Sequence, residues 1–246
     1  MAKKVDTLIL EAPAKKGWIE TNKKINNKGR ARLFENPALE KLTRAHPLVI
    51  WSIYTPVIVL MPWYFLKFQE LTLMLFLMLF LLGVLTWTLT EYVLHRFAFH
   101  QHPETEMGSK IVYLIHGNHH EFPRDKERLF MPPIPSVFLA TLFFGLFYLF
   151  MGSYALIFFP GFMTGYLLYG SMHYAIHAWN PPFKWMKPLW RNHHLHHYKD
   201  EDKGFGVSST LWDRVFGTMY DLKAEKEEPE KVKELIFRKV QKVLRD

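Results

Sequence analysis

The sequence has 246 residues, of which 49% are apolar, and its 31 Lys and Arg against 23 Asp and Glu give a formal net charge of +8 with no cysteine at all. The missing cysteines exclude disulfides, thiolate-ligated haem, cysteine-ligated iron–sulfur clusters and Cys-rich zinc sites, so a metal here must use nitrogen and oxygen ligands. The apolar residues are gathered in runs longer than a soluble core requires, which points to a membrane. The positive charge suits an anionic membrane surface and not nucleic acid: residues 1–45 carry 11 basic against 5 acidic residues and residues 178–246 carry 14 against 11.

Residues 1–36 are polar and basic and are expected to form a loosely ordered arm, with Lys pairs at 3–4, 15–16 and 23–24 and no apolar core of a cleavable signal. A helical piece is expected over Asn36–Arg44, opened by Pro37. The first long apolar run, Leu48–Phe68, contains Pro56 and Pro62 and is separated from the second, Leu71–Thr90, by little more than Lys67, Gln69 and Glu70. At about 1.5 Å per residue each run reaches across roughly 30 Å of hydrocarbon, and so short a link makes the two a hairpin.

Residues 95–133 are polar and hold six histidines. Residues 134–172 are again apolar, broken only at Gly152 and Ser153, too long for one span and right for two short ones joined by a tight turn. Both termini and every histidine cluster then face one side, which the positive-inside rule makes cytoplasmic, in a bacterial inner membrane or the endoplasmic reticulum. Near the end, Val232, Leu235, Ile236, Val240, Val243 and Leu244 share a face between Pro229 and Leu244, the pattern of an amphipathic helix docked on the domain or on lipid headgroups. The expected fold class is therefore all-α and integral to the membrane. Four transmembrane helices, at about 48–68, 71–92, 134–151 and 153–172, form two hairpins under a cytosolic helical cap. The chain divides into a basic arm (1–36), a membrane domain (37–222) and a C-terminal amphipathic helix (223–246).

The chemistry is carried by histidine. Ten of the 13 fall in four groups: His95 with His100, His116 with His119 and His120, His173 with His177, and His193 with His196 and His197. Residues three and four apart share a helix face, so the second, third and fourth groups could each present two or three imidazoles towards one point. His95 and His100 are five apart and would diverge by roughly 140° on a regular helix, so the helix must end or distort between them. Ten imidazoles are too many for one ion and suit two ions with four or five nitrogens each. His46 and His102 each precede a proline and are left out, and His194, about 100° from His193 on a helix, is expected behind the ligands or facing substrate. An all-nitrogen pair of ions at a bilayer surface is placed to act on a lipid, and iron activates O₂ where zinc does not.

The stretches FENPALEKLTRAHP, TEYVLHRFAFH, HGNHHEFPRDKERLFMPP, GYLLYGSMHY and HHLHHYKDEDKGFGVSSTLWDRVFGT, together covering about Phe34 to Tyr220, resemble the fatty acid hydroxylase superfamily. The boxes alone would indicate only that superfamily. HYK, GFGVS, WD and the Pro-Pro after the second box narrow the resemblance to the fatty acid 2-hydroxylases of sphingolipid synthesis. It implies a four-span fold and oxidation of a very long acyl chain, free or in a ceramide, at C2 with O₂ and two electrons. It also implies two iron ions as cofactors, with zinc able to occupy the site in a purified protein, held by His95, His100, His116, His119, His120, His173, His177, His193, His196 and His197. Gly170 stands where the family often has an acidic residue. The His-Pro-Gly-Gly motif of a fused cytochrome b5 domain is absent, so a separate donor, cytochrome b5-like or ferredoxin-like, is expected.

Glu91, one turn before His95, is expected to orient an imidazole. Asp213 is expected to do the same or to pair with Arg214 or Arg191, and Tyr198 is expected beside the site. Phe97, Tyr174, Trp179, Trp185 and Trp190 are candidates for an acyl groove or an interfacial belt, and the basic stretches 184–191 and 199–203 for contact with anionic lipid or an acidic donor. Two rivals share these features: another superfamily oxidation, such as desaturation or sterol or carotenoid hydroxylation, and a non-enzymatic membrane metal-binding protein.

Overall fold

The computed structural model describes residues 25–221, and within them there is no β-strand. The expected helix over Pro229–Leu244 and most of the basic arm lie outside the described residues. Helix α1 (Pro37–Leu42) starts where the Asn36 side chain accepts from the Ala38 and Leu39 amides. Helix α2 (Pro47–Phe68) is opened by His46, whose side chain accepts from the Leu48 amide at 3.2 Å, with Pro47 in the first turn. His46 thus serves as the cap of α2.

Helix α3 (Leu73–Val93) is capped by Thr72 and runs without a break into a π-helical turn, Leu94–Phe99. Helix α4 (Glu106–Val112), capped by Thr105, likewise passes through a π-helical turn, Tyr113–Gly117, into α5 (Asn118–Glu121). Helix α6 (Pro133–Met151) ends at Gly152, whose φ of +57° belongs to a region that side chains disfavour, and α7 (Ala155–Ala178) follows after one 3₁₀ turn. Helices α8 (Lys187–Tyr198) and α9 (Leu211–Val215) complete the cap.

Three stretches are long and apolar enough to cross a membrane: Pro47–Phe68, Leu73–Phe99 and Lys126–Ala178, the last containing both α6 and α7. Their surfaces are largely unburied within the protein. Leu73, Met74, Leu81, Leu142, Leu149 and Phe150 are all 60% exposed or more, as expected of side chains whose solvent is hydrocarbon. Helix α7 is the axis of the bundle, and its buried residues from Phe158 to Leu167 meet α2, α3 and α6. The core joins Tyr54, Trp87, Phe159, Phe162, Met163, Tyr166 and Leu167, and a buried hydroxyl chain, Tyr54 to Ser136 at 2.7 Å and Ser136 to Tyr166 at 3.1 Å, links α2, α6 and α7.

Helices α2 and α3, joined by a short link, both pack mainly on α7. For α3, glycine is the reason. A Cβ on Gly83 would lie 2.2 Å from the Phe158 carbonyl oxygen, one on Gly161 would lie 2.0 Å from that of Phe80, and one on Gly165 would lie 2.5 Å from Trp87 Cβ. Small residues on both sides let the α3 and α7 backbones touch, the packing mode of helices that have no hydrophobic effect to drive them together. Helix α7 runs to Ala178, so the third histidine group lies inside it, near its C-terminal end.

Candidate metal centre

The four histidine groups come from separate pieces of chain. His95 lies in the π-helical turn after α3 and His100 at its end. The wider turn is the distortion that a five-residue spacing demands: it rotates His100 back beside His95, and their ring centroids lie 5.0 Å apart. His116 lies in a second π-helical turn, His119 and His120 are in α5, His173 and His177 in α7, and His193, His196 and His197 in α8. All are buried except His177, which is partly so.

The ten rings form two sets. The first is His95, His100, His116, His120 and His196; the second is His119, His173, His177, His193 and His197; within each set, one nitrogen from every ring lies within 4.8 Å of all the others. The boxes do not each converge on one point, as helical spacing alone suggests. The i and i+4 members stay together, His116 with His120 and His193 with His197, while the i+3 members cross over, His119 into the second set and His196 into the first. Residues i and i+4 differ by about 40° around a helix, whereas i+3 falls about 60° to the other side, so a helix seated between two sets serves both.

The spacing of the nitrogens fits metal ions. His95 and His120 place Nε2 3.1 and 3.0 Å from His116 Nε2. In the second set His173 Nε2 lies 2.9 Å from His119 Nε2, and His177 and His197 lie 2.9 and 3.1 Å from His193 Nε2. An ion with metal–nitrogen bonds of about 2.0–2.1 Å holds ligands at right angles about 2.9 Å apart and opposite ligands about 4.2 Å apart. Three rings are fixed from behind, since Nδ1 of His95, His173 and His196 meets the carbonyls of Phe205, Leu129 and Lys203 at 2.5, 3.0 and 2.7 Å. A donated Nδ1 proton leaves the lone pair on Nε2. For His196 that Nε2 is buried with no hydrogen-bond partner among the described residues, a lone pair aimed into the first set.

Protonation agrees with this. Burial first, and then the neighbouring imidazoles, hold His116, His119, His193 and His197 well below the ordinary histidine value. Burial lowers His196 to about 4, against the opposing pull of the Lys203 carbonyl. Neutral rings carry the free lone pairs that a ligand needs.

The loop from Lys203 to Ser208 supplies two of the three carbonyls. Gly204, at φ +70°, lets the backbone turn sharply enough for Lys203 and Phe205 to address different rings. Asp213, fully buried, holds this loop: its carboxylate accepts from the Phe205 and Gly206 amides, both at 2.9 Å, from Thr218 Oγ1 at 2.7 Å and from Asn192 Nδ2 at 3.2 Å. Among the described residues its hydrogen bonds go to these groups and not to an imidazole, Arg214 or Arg191. Burial raises its pKa, and these donors oppose the rise. Glu91 likewise binds backbone instead of a ring, accepting from the Val207 and Ser208 amides at 2.7 and 2.9 Å and from the Ser208 hydroxyl. Asp213 acts on a ring through the Phe205 peptide, and Glu91 holds the next stretch of the same loop.

His194 belongs to neither set, and Tyr198 donates to Asn27 Oδ1 at 2.7 Å, tying the start of the described chain to the end of α8. Trp190 is buried with its Nε1 on the Trp179 carbonyl at 2.8 Å, whereas Phe97, Trp179 and Trp185 are more than half exposed. Gly170, the expected acidic position, packs directly under Phe130, whose ring would lie 2.2 Å from an added Cβ.

Two residues were missed. Glu201 sits in the stretch taken as a basic patch, yet its carboxylate faces His120 Nδ1 at 3.6 Å and His100 Nδ1 at 4.0 Å. Asn192 joins α8 to the loop through the Gly206 carbonyl and Asp213. An acid placed four residues after the last box was the available signal for the first; nothing local marks the second.

Fold and site together define a class: an α-helical protein with apolar stretches of membrane-crossing length whose polar cap gathers ten imidazoles into two metal-sized sets. Residues 80–218 match the family model described as fatty acid hydroxylase. The chain belongs to the fatty acid hydroxylase family. It is 37% identical over 197 residues to the dihydroceramide fatty acyl 2-hydroxylase FAH2 of Arabidopsis thaliana, covering 78% of this chain and 81% of that one. It is 41% identical over 196 residues to the ceramide very long chain fatty acid hydroxylase SCS7 of Saccharomyces cerevisiae, covering 78% of this chain and 50% of that one. The solved structure described as full-length scs7p, with only the hydroxylase domain visible, superimposes with a TM-score of 0.73 at 39% identity over 78% of this chain and 73% of that one.

Proposed function

We propose that this chain is a membrane di-iron monooxygenase that hydroxylates C2 of a long-chain fatty acyl group, free or ceramide-linked. The reaction converts a C–H bond, O₂, two electrons and two protons into C–OH and water, with the electrons delivered by a redox protein of cytochrome b5 or ferredoxin type. The reading is carried by the two adjoining sets of five imidazoles, in a chain whose relatives are named 2-hydroxylases of fatty acids and ceramides. The ten histidines would hold two iron ions, one per set, and zinc, which accepts the same ligands, would fill the sites without supporting oxidation. When bound, the iron pair supplies the O₂ activation and one-electron chemistry that amino-acid side chains lack.

The protein's own share is positioning. The carbonyls of Phe205, Leu129 and Lys203 hold three rings in one tautomer, Asp213 and Glu91 hold the loop that carries two of those carbonyls, and burial keeps water and protons from the lone pairs. The acyl chain has to lie with C2 near one set, and binding along its length supplies the orientation. In this arrangement α2, α3, α6 and α7 are four spans in two hairpins. The cap, the arm over 1–36 and the C-terminal segment 223–246 then lie on the cytoplasmic side, in contact with membrane lipid.

Expression in cells that lack 2-hydroxy lipids tests the reading. Mass spectrometry of total fatty acids should show 2-hydroxy acids appearing with the wild type and none with His120→Ala, although that variant still inserts in the membrane. Product from the variant at the wild-type level would sink the assignment of the histidines.

A further inference from the structure

The two sets are not equivalent from behind. In the first, the Nδ1 atoms of His95 and His196 meet backbone carbonyls, and those of His100 and His120 face one oxygen of one carboxylate, Glu201 Oε2, at 4.0 and 3.6 Å. In the second, His173 has the Leu129 carbonyl, while Nδ1 of His119, His193 and His197 is buried with no hydrogen-bond partner among the described residues. Glu201 is two-thirds covered, and both rings beside it are nearly fully so.

We infer that Glu201 is a positioning residue shared by His100 and His120 that makes the two metal positions unequal, the first set holding its ion more tightly than the second. A carboxylate behind a ligating imidazole fixes the ring and raises its basicity, and its negative charge offsets part of the charge of a dication held by neutral ligands. His100 caps the π-helical turn after α3 and His120 lies in α5, so one carboxylate also bridges two elements whose rings already stand 4.7 Å apart. The inference rests on the two-metal reading above.

The test follows metal and not turnover. Wild-type protein, purified in detergent and loaded with zinc, is dialysed against rising chelator, and retained zinc per chain is measured by mass spectrometry beside the thermal unfolding midpoint. The wild type should lose one equivalent at a lower chelator concentration than the other. Glu201→Gln, which keeps shape and removes charge, should weaken retention of the tighter ion by about 10- to 100-fold, so that the two steps merge. Glu201→Asp, tested in parallel, should keep part of the separation. Two steps in Glu201→Gln at the wild-type concentrations would overturn the inference, as would a single step in the wild type. A fall in unfolding midpoint of the metal-free Glu201→Gln protein, with its two steps kept apart, would assign Glu201 a merely structural role and overturn it equally. A wild type that retains no metal would instead bring down the two-metal reading itself.

Discussion

Asp213 shows how a residue remote from the rings governs them. Its carboxylate takes four donors, two of them the amides of Phe205 and Gly206, and the Phe205 carbonyl in turn fixes His95. Asp213→Ala leaves buried amides unpaired at roughly 1–3 kcal/mol each. The expected outcome is a loss on the order of 3 kcal/mol or more in detergent-solubilised unfolding, accompanied by preferential loss of the ion held by the first set. Asp213→Asn, which keeps one acceptor and offers the other amide a donor, should fall between. The ten histidines were legible in the sequence because imidazole chemistry and i, i+3, i+4 spacing are local. The partners of Glu91 and Asp213 were not, because what a buried carboxylate meets is decided by chain arriving from elsewhere, Val207 lying 116 residues from Glu91. The GFGVS stretch was recognised as a signature, but its contribution is made by backbone carbonyls and a left-handed glycine, which a reading of side chains does not show.

At the scale of the element, the close crossing of α3 and α7 sets where His95 and His100 stand relative to His173 and His177, since each helix carries its pair at the cap end. Gly161→Val would place a branched side chain where even a Cβ lies 2.0 Å from the Phe80 carbonyl, and α3 would have to move outward and carry the π-helical turn with it. Overpacking of this kind costs typically about 1–3 kcal/mol. The expected outcome is a lower unfolding midpoint together with a loss of bound metal larger than that caused by Gly145→Val, a position in α6 where an added Cβ meets nothing within 4 Å. That the helix ends or distorts between His95 and His100 was foreseeable, because two imidazoles five residues apart cannot share a regular helical face. The crossing over of His119 and His196 was not: helical angles say that i+3 diverges from i+4, but which set receives it depends on where two distant helices stand.

Across the whole molecule, the apolar flanks of α2, α3 and α6 and the polar cap divide the surface into two solvents. That the chain holds apolar stretches of membrane-crossing length was legible because hydrocarbon thickness sets a minimum run, whereas the close packing of α3 on α7 depends on glycines that composition alone does not rank. The lack of native cysteines makes the orientation directly measurable. A single cysteine introduced at Ser153, in the turn between α6 and α7, should react with a membrane-impermeant maleimide from the periplasmic or lumenal side. One at Lys187, at the start of α8, should react only from the cytoplasmic side. Labelling of both positions from the same side would overturn the two-hairpin arrangement.

The exchange of His119 and His196 between the sets also has a bearing on synthesis. The first set waits for residue 196 and the second for residue 197, although four of the first set's five rings, and one of the second's, have already been made by residue 120. Neither set can close on the emerging chain until translation has passed α8. A chain that stops early, or whose second half fails to insert, has no complete position to fill, so the interlocked histidines make full coordination a report that the whole domain has been built.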